Sequence, residues 1–448
     1  MLSKFPRLHR ALSTLAVFIS AAWLLSCSNY NSGSGGGTSS GLKFRAFVSN
    51  PVHPNITGGG SPALDIMDAS KDLLSFYVVS LSSLSGSVAD AGMMALSPNH
   101  DRTLVMSPRD SKLAVVDNTK EGVVGTIPLP GPSESFFVSS DNNTAFLAIP
   151  SAAVNGQASG VVEKVNSSGG TVDATIPIPA AHYLVQSPSG NQILVFSDNT
   201  DTAILLTPGL IGAVGQPATI SPCTATQVPA CTLPATFDRP VGAIFDPSGA
   251  TAYVINCGSE CGGTNAGITA IDMTNTGNAA SLVLGGVSLS ASTTAFLQGT
   301  TLYVAGTQVA GGGVLSVLNL AGGVGSVNCS SATPANCQLF GVADGVADGY
   351  HTMIQMGANG RLFVGSRGCS GVCLTILNTL TGQIVKPSAN TAGDVTGIAP
   401  IPNRNVVYVC QGTMLRVYDT RTDQLAQIPP NGQPNLAGEA VDVKVIDF

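Results

Sequence analysis

Charge is scarce in this chain. Of 448 residues, 10% are Asp, Glu, Lys or Arg against 44% hydrophobic, and the net charge of -7 is spread without runs. No basic stripe exists to follow a phosphate backbone, so nucleic acid is not expected as a partner. The apolar fraction is nevertheless ample for a core, which excludes a disordered chain. A phosphate-binding Walker loop, a nucleophile elbow, a Cys-x-x-Cys-His haem site and the usual Cys-x-x-Cys metal spacing are all missing. What is abundant is punctuation: 52 glycines and 27 prolines predict many turns and few long helices. A β-rich globular protein is expected.

The first residues form a separate object. Lys4, Arg7 and Arg10 precede the apolar run 11–25, followed by Ser26-Cys27. A basic start and a short apolar core read as a secretion signal, too short for a comfortable membrane span. Leu24-Leu25-Ser26-Cys27 resembles the bacterial lipoprotein signal. That resemblance implies cleavage after residue 26, lipidation of Cys27 and, with Ser28 in place of aspartate, the outer membrane. An ordinary cleaved signal or an uncleaved anchor is the alternative. Residues 27–41 then read as the lipidated cysteine and a flexible Gly/Ser tether, and 42–448 as the working part in a disulfide-permissive compartment.

A repeat fills the rest. Phe47-Val48, Leu104-Val105, Phe146-Leu147, Leu194-Val195, Tyr253-Val254, Tyr303-Val304, Phe363-Val364 and Tyr408-Val409 recur at intervals of 42 to 60 residues. Most are preceded by a strand and a tight turn such as SPNHD, SPSG or DPSG. A third strand follows, ending at Asp68, Asp117, Asn166, Asp272, Asn319, Asn378 or Asp419; the fourth copy has Thr207 instead. Four short strands per repeat predict an all-β fold, a β-propeller of eight four-stranded blades, with seven as runner-up and a sandwich pair less suited to eight similar units. The chain starts on a second strand, LKFRAFVSN, and ends on a first strand, VDVKVIDF, so the C-terminal strand is expected to complete the N-terminal blade. Trp23 is the only tryptophan and falls in the signal, which argues against blades built on a Trp-centred docking motif. The YVIN core, the SPSG and DPSG turns and the VVDNT and AIDMT turns resemble the YVTN-type propeller repeats of bacterial envelope proteins. The resemblance covers about nine-tenths of the chain, and its superfamily includes lactonase-like propellers.

Of ten cysteines, nine remain to be placed once Cys27 is set aside. Cys257 with Cys261 and Cys369 with Cys373 fall in second-to-third-strand connections. Cys223 with Cys231 and Cys329 with Cys337 are read as blade-to-blade connections, which puts all eight on one variable face. Disulfides are expected, zinc being the alternative; pairing runs between sequence neighbours, or between Cys223/Cys231 and Cys257/Cys261. Cys410 occupies a core position of its repeat and reads as a buried thiol.

Chemistry, if any, should lie where first strands enter the central channel. That criterion selects Glu134, His182, His351 and Asp442, with Arg239 close by, and the contexts PAAHYLV and DGYHTMI match His182 to His351. Histidines and carboxylates can act as metal ligands or as an acid–base pair; a polar but inert channel rim is the plainer alternative. No cofactor is called for, although a channel-mouth metal ion stays open. The expected function is a lipid-anchored envelope scaffold: a monomeric domain that binds a protein, glycan or small ligand through its long-loop, disulfide-bearing face. A lactonase-like hydrolase is the alternative.

Overall fold

The computed structural model describes residues 39–447 apart from 56–57, 83–86, 213–219, 225, 331–333, 386, 388–391 and 430–431. The signal, Cys27 and the tether up to residue 38 lie outside the described residues. Eight antiparallel sheets form the blades of a β-propeller. Their innermost strands, from blade 1 to blade 8, are Asp442–Val445, Met94–Leu96, Ser135–Val138, Ala181–Gln186, Pro240–Phe245, Thr294–Gln298, Tyr350–Gly357 and Val395–Pro400. Each touches the next, and the eighth touches the first, so they ring a central channel. Seven sheets have four strands; blade 4 gains a fifth where Ser221–Pro222 runs parallel to Ala230–Thr232.

Second strands are buried along nearly their whole length, as in Arg102–Ser107 and Val406–Gln411. Both of their faces are covered because each blade is sandwiched between two others. The apolar repeat therefore reads as a continuous run rather than an alternation. Phe196 and Leu194 of blade 4, for example, pack against Val254 and Ile271 of blade 5.

The polar repeat has an equally local cause. The carboxylate or amide oxygen of Asp68, Asp117, Asn166, Asp272, Asn319, Asn378 and Asp419 accepts a backbone N–H two residues on. This closes the turn that follows each of these third strands, which in blade 6 leads into an insertion ahead of the fourth strand. The turn between first and second strands needs one left-handed residue, supplied by His100, Asn142, Gly190, Gly249, Gly299, Asn359 and Asn403.

As expected, the ring closes through the C-terminal strand. Asp442–Val445 pairs with Arg45–Pro54, placing Ser49 opposite Asp442. Ion pairs tie successive blades at the seam: Arg361 to Asp423 at 2.6 Å, Arg404 to Asp72, and Arg45 to Glu121 at 2.8 Å.

All four disulfides join sequence neighbours. Fully extended, Cys257 and Cys261 would hold their Cα atoms about 13 Å apart. A 3₁₀ turn at Gly258–Cys261, followed by Gly262 at φ 81°, brings them to 5.6 Å. Their distribution corrects the expectation of a single face. The fourth strands of blades 4 and 6 are Ala230–Thr232 and Cys337–Phe340, so Cys223–Cys231 and Cys329–Cys337 lie in third-to-fourth-strand insertions. Two bridges thus decorate the turn face, and only Cys257–Cys261 and Cys369–Cys373 decorate the face where first strands begin. Cys410 is fully buried, and burial pushes its thiol far above the ordinary range.

Candidate functional site at the channel mouth

Where first strands begin, their pairing with second strands slips by one residue in blades 4, 5, 7 and 8. The extra residues are His182, Val241, Thr352 and Thr396. A bulge of this kind re-aims one side chain per blade. In blade 4 that side chain is an imidazole, and it meets two carboxylates. His182 Nδ1 hydrogen-bonds Asp198 Oδ1 at 2.7 Å, and Nε2 lies 3.6 Å from Glu134 Oε2 of blade 3. Glu134 and Asp198 together hold the His182 pKa above its ordinary value, with burial opposing them. His182 in turn lowers the pKa of Glu134, whose carboxylate is exposed to solvent.

His182 also stacks on its neighbour Tyr183, ring centroids 4.1 Å apart. The Tyr183 phenol reaches that of Tyr350, and burial raises the pKa of both. Blades 4 and 7 are not neighbours, so this pair reaches across the channel. Glu260, at the end of the Cys257–Cys261 loop, stands on the same rim with its pKa raised by burial; its Oε2 accepts the Thr307 N–H at 3.0 Å.

The other sequence candidates go elsewhere. His351 is wholly buried. It pairs with Ser366 just as Ala181 pairs with Ser197, so it corresponds to Ala181 and not to His182. One residue of offset turns a side chain to the other face. Its Nδ1 lies 3.2 Å from Thr307 Oγ1, and burial pushes its pKa down to about 4. Asp442 is 1% exposed and acts as a strut: it accepts the Met94 N–H of blade 2 at 2.8 Å and pairs with Lys444. Arg239 lies 3.9 Å from Asp201, apart from the His182 cluster. Of the candidates, the structure brings together only Glu134 and His182. Asp198, Tyr183, Tyr350 and Glu260 were not singled out from sequence; the tyrosines flanking both histidines were the available signal.

The same face carries a cavity of about 720 Å³ between blades 6 and 7. Gly311, Gly312, Gly345 and Gly371 give it backbone walls beside Val372 and Leu374. Asp348 accepts the Ser370 N–H there at 3.0 Å, steadying the Cys369–Cys373 loop. Among the described residues, no three His, Cys, Asp or Glu side chains converge as a metal-ligand set, and no helix is long and apolar enough to cross a membrane.

The fold is an eight-bladed β-propeller whose channel mouth carries a tyrosine pair beside an imidazole and two carboxylates, and its four disulfides suit an extracytoplasmic compartment. Among solved structures, it is similar to the dihydro-heme d1 dehydrogenase NirN in complex with DHE, at 12% identity and TM-score 0.59, covering 93% of this chain and 77% of that one. It is also similar to a functionally unknown protein from Desulfotomaculum acetoxidans, at 16% identity and TM-score 0.50, covering 77% and 94%. A Kuenenia stuttgartiensis hydrazine synthase chain matches at 13% identity and TM-score 0.48, covering 74% and 96%. No family model and no curated protein matches the chain. At these identities the likeness is one of fold.

Proposed function

We propose that this chain is a lipid-anchored, YVTN-like propeller of the bacterial envelope that binds a protein, glycan or small ligand at its channel-mouth face. The observation that carries this reading is the Tyr183–Tyr350 pair across the channel with His182, Glu134 and Asp198 beside it. Phenols set beside carboxylates and an imidazole suit hydroxyl-rich groups. Two disulfide-pinned loops frame the same face and lower the ordering cost of binding. The signal-like N-terminus supports anchoring through Cys27.

Affinity capture from gently solubilised envelopes tests the binding reading, with wild type run beside a His182→Ala/Tyr350→Ala variant. A ligand or partner held by wild type and reduced at least tenfold with the variant is expected; equal retention by both would sink the proposal. Labelled palmitate should enter wild type and not Cys27→Ser. One observation keeps the lactonase-like hydrolase as a second reading: Asp198 fixes the His182 imidazole in the manner of an oriented general base. Lactone hydrolysis abolished by His182→Ala would favour it.

A further inference from the structure

The outer strands carry a device of their own. In blades 2 and 3 each bulges right after the second residue pair from its turn, and in blade 5 after the first, the extra residue being Val124, Asp173 or Leu284. In blade 1 the bulge is larger: residues 75–77 lie opposite Ile66 alone. It displays Phe76 at 88% exposure, with Tyr77 at 45%. The outer strands of blades 1 and 2, Leu73–Ser80 and Gly122–Pro128, touch, so Phe76, Tyr77 and half-exposed Val124 share one rim. Leu73 and Phe44, both partly exposed, extend the rim to the turn face, where Phe44 O accepts the Ala69 N–H at 2.8 Å. Solvated Lys43, Lys71 and Lys120 stand at that end; the latter two make only surface pairs with Asp68 and Asp117.

The N-terminal segment leaves the fold at this corner. Ser40 Oγ donates to Glu121 Oε1 at 2.5 Å, and Arg45 Nη1 donates to the same oxygen at 2.8 Å, pinning residues 40–45 against the turn of blade 2. We infer that the rim of blades 1 and 2, led by Phe76, seats in the interface of a phospholipid bilayer and holds the mouth clear of it. The inference rests on the reading of Cys27 as the lipid carrier. On the composition-based reading of a Gly/Ser tether, a segment of the intervening length would span about 20 Å, which would keep the rim within reach of the surface. Aromatic and aliphatic side chains flanked by lysines are the composition that partitions into that interface.

With Trp23 in the signal, the chain from Ser28 onward has no tryptophan, so a single introduced one reports alone. Phe76→Trp is compared with Leu380→Trp, which is 77% exposed in a blade 7 turn. Each is tethered in two ways to vesicles of phosphatidylethanolamine and phosphatidylglycerol: as the lipidated full-length protein, and as the chain from Ser28 with an N-terminal histidine tag on nickel-chelating lipid. Blue-shifted emission and at least twofold stronger quenching by acyl-brominated lipid are expected at position 76 and not at 380. Equal quenching at both positions, or none at 76, overturns the inference. A blue shift that appears without vesicles and grows with protein concentration also overturns it, in favour of pairing between copies. Quenching of the tagged chain, together with an unmodified Cys27 in the full-length protein, would leave the rim standing and remove the lipidation reading alone.

Discussion

One residue of register separates the fates of the two histidines. His182 occupies a bulge and meets two carboxylates, whereas His351 sits in regular pairing, where burial outweighs the pull of Asp348. Their pH behaviour is therefore opposite. His351 is depressed to about 4, so its contribution to stability is fully present above about pH 6.5 and is lost as pH falls from there toward 4. A shift of that size corresponds to up to about 3 kcal/mol. His182 is raised, so its contribution is present below about 6.5 and fades as pH rises through its folded value. Urea midpoints followed from pH 7 to 4 should fall more steeply for wild type than for His351→Gln; identical slopes would show that His351 ionises freely in the fold. Cys410 offers a second check, since its buried thiol should resist maleimide in native protein and react once urea unfolds it. The mouth was only partly legible in the sequence. His182 and Glu134 could be found by position along the strand, but a bulge leaves no mark in a single sequence, and that is why His351 looked equivalent.

At the scale of elements, the repeat was legible because each of its marks has a local physical cause. Seven Asp or Asn residues each cap the turn after a third strand by accepting a backbone N–H two residues on, and the one copy without such a residue has Thr207 there. The illegible part was the fourth strand. Ala230–Thr232 and Cys337–Phe340 are too short to show an alternating pattern, so the insertions before them read as links between blades. That misreading moved two disulfides to the wrong face, and it has a functional consequence. Removing Cys223–Cys231 or Cys257–Cys261 should each cost about 2–3 kcal/mol on the chain-entropy account. Only Cys257→Ser/Cys261→Ser should weaken ligand retention at the mouth, because Glu260 belongs to that loop. Capture experiments showing equal losses for both pairs would break the link between face and function.

At the scale of the molecule, stability depends on one seam. Blade 1 takes its innermost strand from the far end of the chain, and blade 8 packs against it through Tyr408, Val417, Val48 and Met67. Asp72 of blade 1 receives both Arg404 and the Tyr408 hydroxyl of blade 8, the latter at 2.7 Å. Buried Asp442 links three blades: it belongs to blade 1, accepts the Met94 N–H of blade 2, and leaves room for Gly397 of blade 8 but not for a Cβ at that position. A chain ending at residue 438 keeps every second strand, yet it strips the inner edge from Arg45–Pro54 and uncovers Phe47 and Val48. It should therefore lose its cooperative urea transition or aggregate, whereas Asp442→Asn should fold with a loss of about 1–3 kcal/mol. A synthetic peptide of residues 439–448 added in excess should restore the transition, since the missing strand contributes only pairing and burial. If the truncated chain kept the wild-type midpoint, blades 1 and 8 would hold together without the strand. The ring would then be an open arc closed by side-chain packing alone, and Asp442 would have no strut to be.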